Sequence, residues 1–346
     1  MGETKRIAHK DLVQWIQSIL ADNGVPEKNG RIEAEIMAEA DLLGVPSHGV
    51  RMLPGLVQGI RDGRIRPDPE VKLIKDRAAV CVLDGAFGPG RFVSYEAMLQ
   101  AIGRSRTYGL GACLAVHTSH WGRAHAYACR AAQQGVIGIC TTNAITNMTA
   151  WGSPDLLLGN NPLAIGIPAK TADEPLVFDM AMSQAALGKV ATCKREGKRV
   201  PSGWGLDGAG QPTDDPSEIM ASRKLLPFGE HKGSGLALMM EILTAALGGG
   251  LFSFELIERD ASGLDTGISK LCLALDPEAF IGREELLRRT EELLEWIRAH
   301  AGKGTDLLLP GERGWATRIR YLEEGIPIHP DIAVHLDAFP IPVPWL

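Results

Sequence analysis

The residues best suited to chemistry in this chain are histidines. Three of the nine, His117, His120 and His125, fall inside Val116–Ala144, VHTSHWGRAHAYACRAAQQGVIGICTTNA. Histidine has an ordinary pKa of about 6.5 and exchanges protons near neutral pH, so general acid–base chemistry is the first expectation. A fourth candidate is His48, set beside Ser47 between Pro46 and Gly49. Those flanking residues stiffen the turn and present the Ser–His pair just past a helix. His125 lies inside a helical pattern and reads as a packing or surface residue, whereas His117 stands at a strand end that either lines a pocket or closes a core. A zinc site built from His117, His120 and Asp179 is a further possibility, but neither HExxH nor a cysteine pair accompanies it, so no metal is expected.

The elements around these residues must hold them. The apolar run Ala112–Val116 stops where the His–Trp–Gly loop begins, and a helical pattern follows. The return strand, Val136–Thr142, ends in Thr141, Thr142 and Asn143. Strand ends in such a β–α–β unit collect at one edge of a sheet, where small ligands bind. Before this unit the chain is mostly helical. Leu12, Trp15, Ile16, Ile19 and Leu20 mark one helix, a second follows Pro26 and stops at Gly44, and residues 53–63 form a third. From Val71 strands alternate with helices: Ala79–Leu83, then Asp84–Gly90 as a Gly-rich turn, then a helix over Ser94–Thr107. That turn does not fit GxGxxG, and Pro89 removes an N–H that a phosphate cradle would use. A standard Rossmann domain is therefore not expected.

Further on, Leu163–Ile167 and Leu176–Ala181 read as strands, and the polar, Gly/Pro-rich stretch from Cys193 as a long ordered loop or lid. His231, Lys232 and Gly233 open an apolar helix whose first turn suits an anion. Leu271–Leu275 is a strand, Arg283–His300 an amphipathic helix, and the apolar, Pro-rich tail Ile326–Leu346 is expected to pack back on the body. Charge and composition narrow the function classes. A net charge of −6 argues against polyanion partners, so nucleic acid is not expected. No run approaches the ~18 apolar residues of a membrane span, and the start lacks a signal-peptide core. The six cysteines show no CxxC and read as buried free thiols, which places the protein in a reducing, cytoplasmic setting.

Taken in order, these segments resemble the malate/L-lactate dehydrogenase-like family of NAD(P)-dependent 2-oxoacid reductases, which is distinct from the Rossmann lactate and malate dehydrogenases. The resemblance spans nearly the whole chain. It rests on Ser47-His48-Gly49-Val50, Ser119-His120-Trp121-Gly122, Thr142-Asn143-Ala144, Gly159-Asn160-Asn161-Pro162, Phe178-Asp179-Met180-Ala181, Gly188-Lys189, Pro201-Ser202-Gly203-Trp204, His231-Lys232-Gly233, Asp276-Pro277-Glu278-Ala279-Phe280 and Pro310-Gly311-Glu312-Arg313. It implies an α/β fold like that of L-sulfolactate dehydrogenase: a mixed sheet flanked by helices, carrying a non-Rossmann NAD(P) domain. Residues 71–282 would form that domain, with the lid-like insertion at 193–225. Residues 1–70 with 283–346 would form a helical substrate and dimer domain. A homodimer is implied.

The same resemblance assigns roles. His48 and His120 become the proton-transfer pair, with His48 the first choice for donor and His120 its rival or partner. NAD or NADP would lie along Thr142, Asn143, Pro175, Leu176, Val177, Phe178, Asp179, Met180 and Ala181, at His231 and Lys232, and at Gly311, Glu312 and Arg313. Ser47, Arg51, Met52, His117 and Thr118 would border the substrate. Many members carry an arginine where this chain has Met52, with Arg51 one residue early, and His117-Thr118 replaces a frequent Asn-Ser. The implied activity is interconversion of a 2-oxo acid and a 2-hydroxy acid. The alternatives are a cyclic ketimine reductase, acting on piperideine- or pyrroline-2-carboxylate, and a nicotinamide-binding relative without turnover.

Overall fold

Leu12, Trp15, Ile16, Ile19 and Leu20 share one stripe of α1 (His9–Asp22), and all are buried. That stripe packs against α2 (Glu27–Leu42), which starts behind Pro26 as its spacing predicts. A short strand, β1 (Lys5–Ile7), precedes them, and two 3₁₀ turns, Pro46–His48 and Val50–Met52, lead into α3 (Leu53–Arg61). The computed structural model describes residues 4–302 and 304–346.

Strands then take over. β2 (Lys72–Arg77) and β3 (Val80–Gly88) form a hairpin, followed by α4 (Gly90–Tyr108). The histidine-bearing unit is β4 (Leu110–Thr118), α5 (His125–Gln133) and β5 (Ile137–Thr142). β6 (Thr146–Thr149) pairs with β7 (Leu156–Gly159), and β8 (Leu163–Ile167) with β9 (Leu176–Met180). Next come α6 (Leu187–Arg195), the ribbon β10 (Gly205–Leu206) and β11 (Pro212–Thr213), and α7 (Pro216–Ser222). α8 (His231–Glu241) runs on through a π-helical turn, Ile242–Ala246. α9 (Ser253–Ala261), β12 (Ile268–Leu275), α10 (Arg283–His300), α11 (Glu312–Glu324), β13 (Ile326–Ile328) and α12 (Pro330–Leu336) complete the chain.

Among the described residues, seven strands form the central sheet, in the order β2-β3-β4-β12-β5-β8-β9. β3 and β4 are parallel and the other pairs antiparallel, so the sheet is mixed and helix-flanked as expected. The β–α–β unit has one unforeseen feature. β4 and β5 run the same way but are not neighbours, because β12 lies between them, antiparallel to both. Their ends still open at one edge: Ile268 of β12 pairs with Thr118 and Lys270 with Thr142.

Small residues let α5 sit close on this sheet. A Cβ on Gly138 would collide with Ala131, and one on Gly166 with the Ala128 carbonyl. Ala128 and Ala131 meet them, and Ala126 and Ala132 of the same helix are buried too. The loop Ser119–Ala124 is thus set by how closely α5 approaches the strands.

Other expectations shift in detail. The stretch Asp84–Gly90 is a bulged strand end, not a turn; Ala86 and Phe87 take φ of 51° and 57°, and α4 starts at Gly90. The segment 193–225, expected as a loop or lid, holds α7 and a ribbon. Its Val200, Trp204, Ile219 and Leu225 form their own apolar cluster with Met148 and Met182. The tail does return to the helical core: Phe339, Ile341 and Trp345 pack there, and the Trp15 indole N–H donates to the Ile341 carbonyl at 2.9 Å. That core joins residues 7–65 to residues 326–343. All six cysteines are free, and all but Cys193 are buried.

Gly166→Val tests the seating of α5. It should lower unfolding stability by about 1–3 kcal/mol in urea denaturation, through overpacking against Ala128. A wild-type midpoint would show that the helix has room to spare.

Candidate active site

His48 is held from three sides. Asp41, near the end of α2, accepts a hydrogen bond from the Val50 N–H at 2.6 Å, tying the second 3₁₀ turn back to that helix. Glycine is required at position 49, since a Cβ there would run into the Asp41 carboxyl group. Burial pushes the Asp41 pKa up to about 7, against the pull of the Val50 amide and two arginines. Ser47 Oγ lies 2.8 Å from His48 Nδ1. Gly188 of α6 closes over the pair, so near that a Cβ would lie 2.7 Å from Ser47 Cβ. From the far side Arg91 of α4 reaches the His48 carbonyl at 3.5 Å while pairing with Glu33 of α2 at 3.2 Å.

His120 is fixed by its backbone. Gly90 lies against Ser119 and His120 so closely that a Cβ would strike both carbonyls. The Ser119 N–H donates to the Gly88 carbonyl at 3.2 Å. Lys270 of β12, fully buried, donates to the Ser119 carbonyl at 2.7 Å and also to the Thr118 hydroxyl. Trp121 stacks on Tyr127 at 5.1 Å, and the Tyr127 hydroxyl donates to the Trp121 carbonyl. The Gly122 N–H donates to His120 Nδ1 at 3.1 Å. A neutral His120 therefore carries its proton on Nε2, a donor for a ligand oxygen.

The two arms converge. The rings of His48 and His120 are near parallel, 21° apart, with centroids at 6.0 Å. Burial lowers the His48 pKa to about 4, assisted by the guanidinium groups of Arg123, Arg91 and Arg51. Burial also holds His120 well below its ordinary value, with Arg91, His48 and Lys270 adding to it. The His120 ring keeps a solvent-open face although protein crowds it elsewhere, which is the setting of a cleft wall. Two neutral imidazoles in a surround of cations make a receptive place for an anion.

The other sequence candidates fall into two groups. Arg51 lies near enough to help lower the His48 pKa, and its own is lowered by burial and by Arg195. Val50–Met52 being a 3₁₀ turn, Met52 next to Arg51 packs against the helical core. Asp179 on β9 is joined to the site by Arg123, 2.6 Å away. Gly311, with φ 96°, abuts the start of β9: a Cβ there would be 3.4 Å from both the Pro175 carbonyl and the Val177 nitrogen. The other end of β9 meets the start of α8, where the Phe228 N–H donates to the Met182 carbonyl at 3.0 Å. Leu176, Val177, Phe178, Asp179, Met180 and Ala181 thus span from the Gly311 turn to His231 and Lys232.

The second group is engaged within the protein. His117, with φ 53°, lies 3.2 Å from Asp84 and stacks on Phe87. Thr118 is fully buried and donates its proton to the Ile268 carbonyl at 2.8 Å. Thr142 donates to the Ser269 carbonyl at 2.9 Å, and Asn143 is locked to Ser269 and Leu251 at 2.9 and 2.8 Å. Glu312 is occupied by Arg298 at 2.6 Å and the Leu309 N–H at 2.8 Å, and Arg313 is exposed. His125 packs on Trp315 at 5.6 Å. Sequence reading missed Asp41, Arg91, Arg123 and Lys270. Only Arg123, three residues past His120, had a positional hint.

Comparison with known proteins matches this arrangement to a family. The family described as malate/L-lactate dehydrogenase matches residues 7–337. The malate dehydrogenase of Pyrococcus horikoshii is 33% identical over 341 residues, covering 96% of this chain and 94% of that protein. The Delta(1)-pyrroline-2-carboxylate/Delta(1)-piperideine-2-carboxylate reductase of Pseudomonas syringae pv. tomato is 33% identical, over 94% of this chain and 93% of its own. The crystal structure of malate dehydrogenase from Entamoeba histolytica superposes with a TM-score of 0.94 at 28% identity, covering 99% of this chain and 100% of that one.

The His48 environment sets a pH dependence. Its folded pKa of about 4 lies below the unfolded value of 6.5, so below pH 6.5 the unfolded chain binds the proton that the folded one refuses. Stability is therefore lost as pH falls from 6.5 towards 4. At pH 5 the penalty is about 1–2 kcal/mol. His48→Gln should remove that part of the difference between urea unfolding at pH 7.5 and pH 5; an equal loss in both proteins would contradict it.

Proposed function

We propose that this chain, which belongs to the malate/L-lactate dehydrogenase family, interconverts a 2-oxo acid and a 2-hydroxy acid with NAD or NADP as its redox partner. The carrying observation is the facing pair of His48 and His120, both kept towards the neutral form by burial and by nearby cations, Arg91 common to the two. The bound nicotinamide would give or take the hydride at the substrate carbon. The residues along β9 suit such a cofactor. The first turn of α8 holds Lys232, and although Glu230 stands at its N-cap no side chain bonds to the turn's N–H groups, leaving them open to phosphate. Phe178, 44% exposed, offers an aromatic face. Gly311 lets the backbone be approached at the other end.

The protein's part is to bind the acid and move one proton. In the oxidation direction a neutral His48 accepts the proton of the substrate hydroxyl, and its low pKa keeps it ready. In the reduction direction it must first be protonated. A bound carboxylate offsets the charge of Arg51, Arg91 and Arg123 and raises the His48 pKa towards working pH. His120 donates from Nε2 to the same oxygen and orients it. Arg51 and Arg123 are our choice for gripping the carboxylate, in place of the arginine that Met52 displaces.

We further propose a homodimer, with residues 1–70 and 283–346 as the substrate body and the partner surface on the cofactor body, residues 71–282, instead of on the helical body. The tail is spent on its own core, so the surface for a partner is elsewhere. Leu238, Met239, Ile242, Leu247 and Phe254 form an exposed apolar face from α8 to α9. Light scattering at micromolar concentration should give twice the chain's 37.2 kDa; a monomer would refute the assembly.

The activity is tested by loss of NADH or NADPH absorbance with pyruvate, oxaloacetate, phenylpyruvate, sulfopyruvate and piperideine-2-carboxylate. Turnover of an oxo acid is expected, and turnover of the imine alone would replace this reading with a ketimine reductase. His48→Ala should lower kcat by about 10²–10⁴ at near-normal cofactor affinity. His120→Ala should mainly raise KM, and the opposite pattern would reverse the two roles.

A further inference from the structure

We propose that Lys270 is a positioning residue of this reaction centre: its buried amine clamps the Thr118 hydroxyl and the Ser119 carbonyl, and so fixes the peptide that delivers His120. The inference rests on the proposed role of His120. A lysine is out of place at the middle of a sheet, where burying an ammonium group is costly unless it is fully hydrogen-bonded. β12 is flanked by β4 and β5, and Lys270 pairs with Ala115 on one side and Thr142 on the other. The register of β12 against β4 breaks between Ile268 and Lys270. Such an irregularity re-aims a side chain, and here it turns Lys270 to the end of β4.

The direction of each bond is forced. Thr118 gives its proton to the Ile268 carbonyl at 2.8 Å, so its oxygen can only accept from Lys270. The Ser119 carbonyl lies past the end of β4 and has no partner in the sheet ladder. Lys270, at 2.7 Å, satisfies it. One residue further on is His120. With Gly90 pressed against the same peptide from α4, the backbone before His120 is gripped from two sides.

Charge adds a second consequence. The groups facing Lys270 are Asp265 before β12, Glu33 from α2, Arg91 from α4, Cys272 on its own strand and His120. Burial lowers its pKa to about 7, opposed by Asp265, Cys272 and Glu33. Lys270 therefore carries its charge throughout the acid range in which His120 titrates, and repels a proton from that ring. Removing the charge must raise the His120 pKa.

Lys270→Met should raise the substrate KM by about ten-fold or more with the cofactor KM unchanged. In ¹⁵N-histidine NMR it should move the His120 titration midpoint upward. Thr118→Val keeps the charge and loses one clamp contact, so it should raise the substrate KM without raising that midpoint. A wild-type substrate KM and an unmoved midpoint in Lys270→Met would overturn the proposal. Should that variant fail to fold, a wild-type substrate KM in Thr118→Val overturns it instead. The NMR reading needs no turnover. A wild-type protein inactive on every oxo acid would refute the proposed reaction while leaving the coupling of Lys270 to His120 measurable.

Discussion

The Arg91–Glu33 pair joins the two halves of the site. Arg91 stands in the first turn of α4 and Glu33 in the middle of α2, and both side chains are buried. Glu33 accepts from the Phe92 N–H at 2.8 Å as well, so its carboxylate also caps the start of α4. Arg91 reaches the His48 carbonyl with its other nitrogen and lies against Gly122, where a Cβ would be 2.8 Å from its Nε. One guanidinium thus touches the loop of His48 and the loop of His120. Breaking such a pair by removing one partner typically costs about 3–5 kcal/mol, because the other charge is left buried. The cost of burying this pair is offset where it is most useful, at the junction of the helical core and the sheet.

Glycines set the distances around that junction. Gly49 admits Asp41, Gly90 admits the Ser119–His120 peptide, and Gly188 admits Ser47. Each allows a backbone to approach where a side chain would hold it off. The histidine spacing of 6.0 Å is the sum of these contacts. It does not come from a direct bond between the rings. The same crowding desolvates each imidazole on its protein side and gathers cations near them, which accounts for their lowered pKa values. Geometry and acid–base character have one cause.

The sequence by itself determined most of the elements and singled out the two histidines that the fold brings together. Periodicity placed α1, α2, α5 and α10 within a few residues, because each carries an apolar stripe or a sharp stop. Pro46 and Gly49 around Ser47-His48, and the strand end before His120, marked both histidines. The absence of GxGxxG kept a Rossmann reading out. Met52 was visible as an oddity, though not its consequence.

Tertiary structure alone decided the rest. That β12 inserts between β4 and β5 depends on pairing across a long stretch of chain, which local pattern cannot encode. Arg91, Arg123 and Lys270 each look like ordinary surface cations in the sequence. They come together only because α4 and β12 bring Arg91 and Lys270 to the end of β4 and the first 3₁₀ turn, while Asp179 of β9 holds Arg123 beside them. The amphipathic stripe of α10 was read correctly as a helix, yet none of its residues is buried in the described chain. Periodicity fixes a helix's faces; what covers them depends on which elements fold against it.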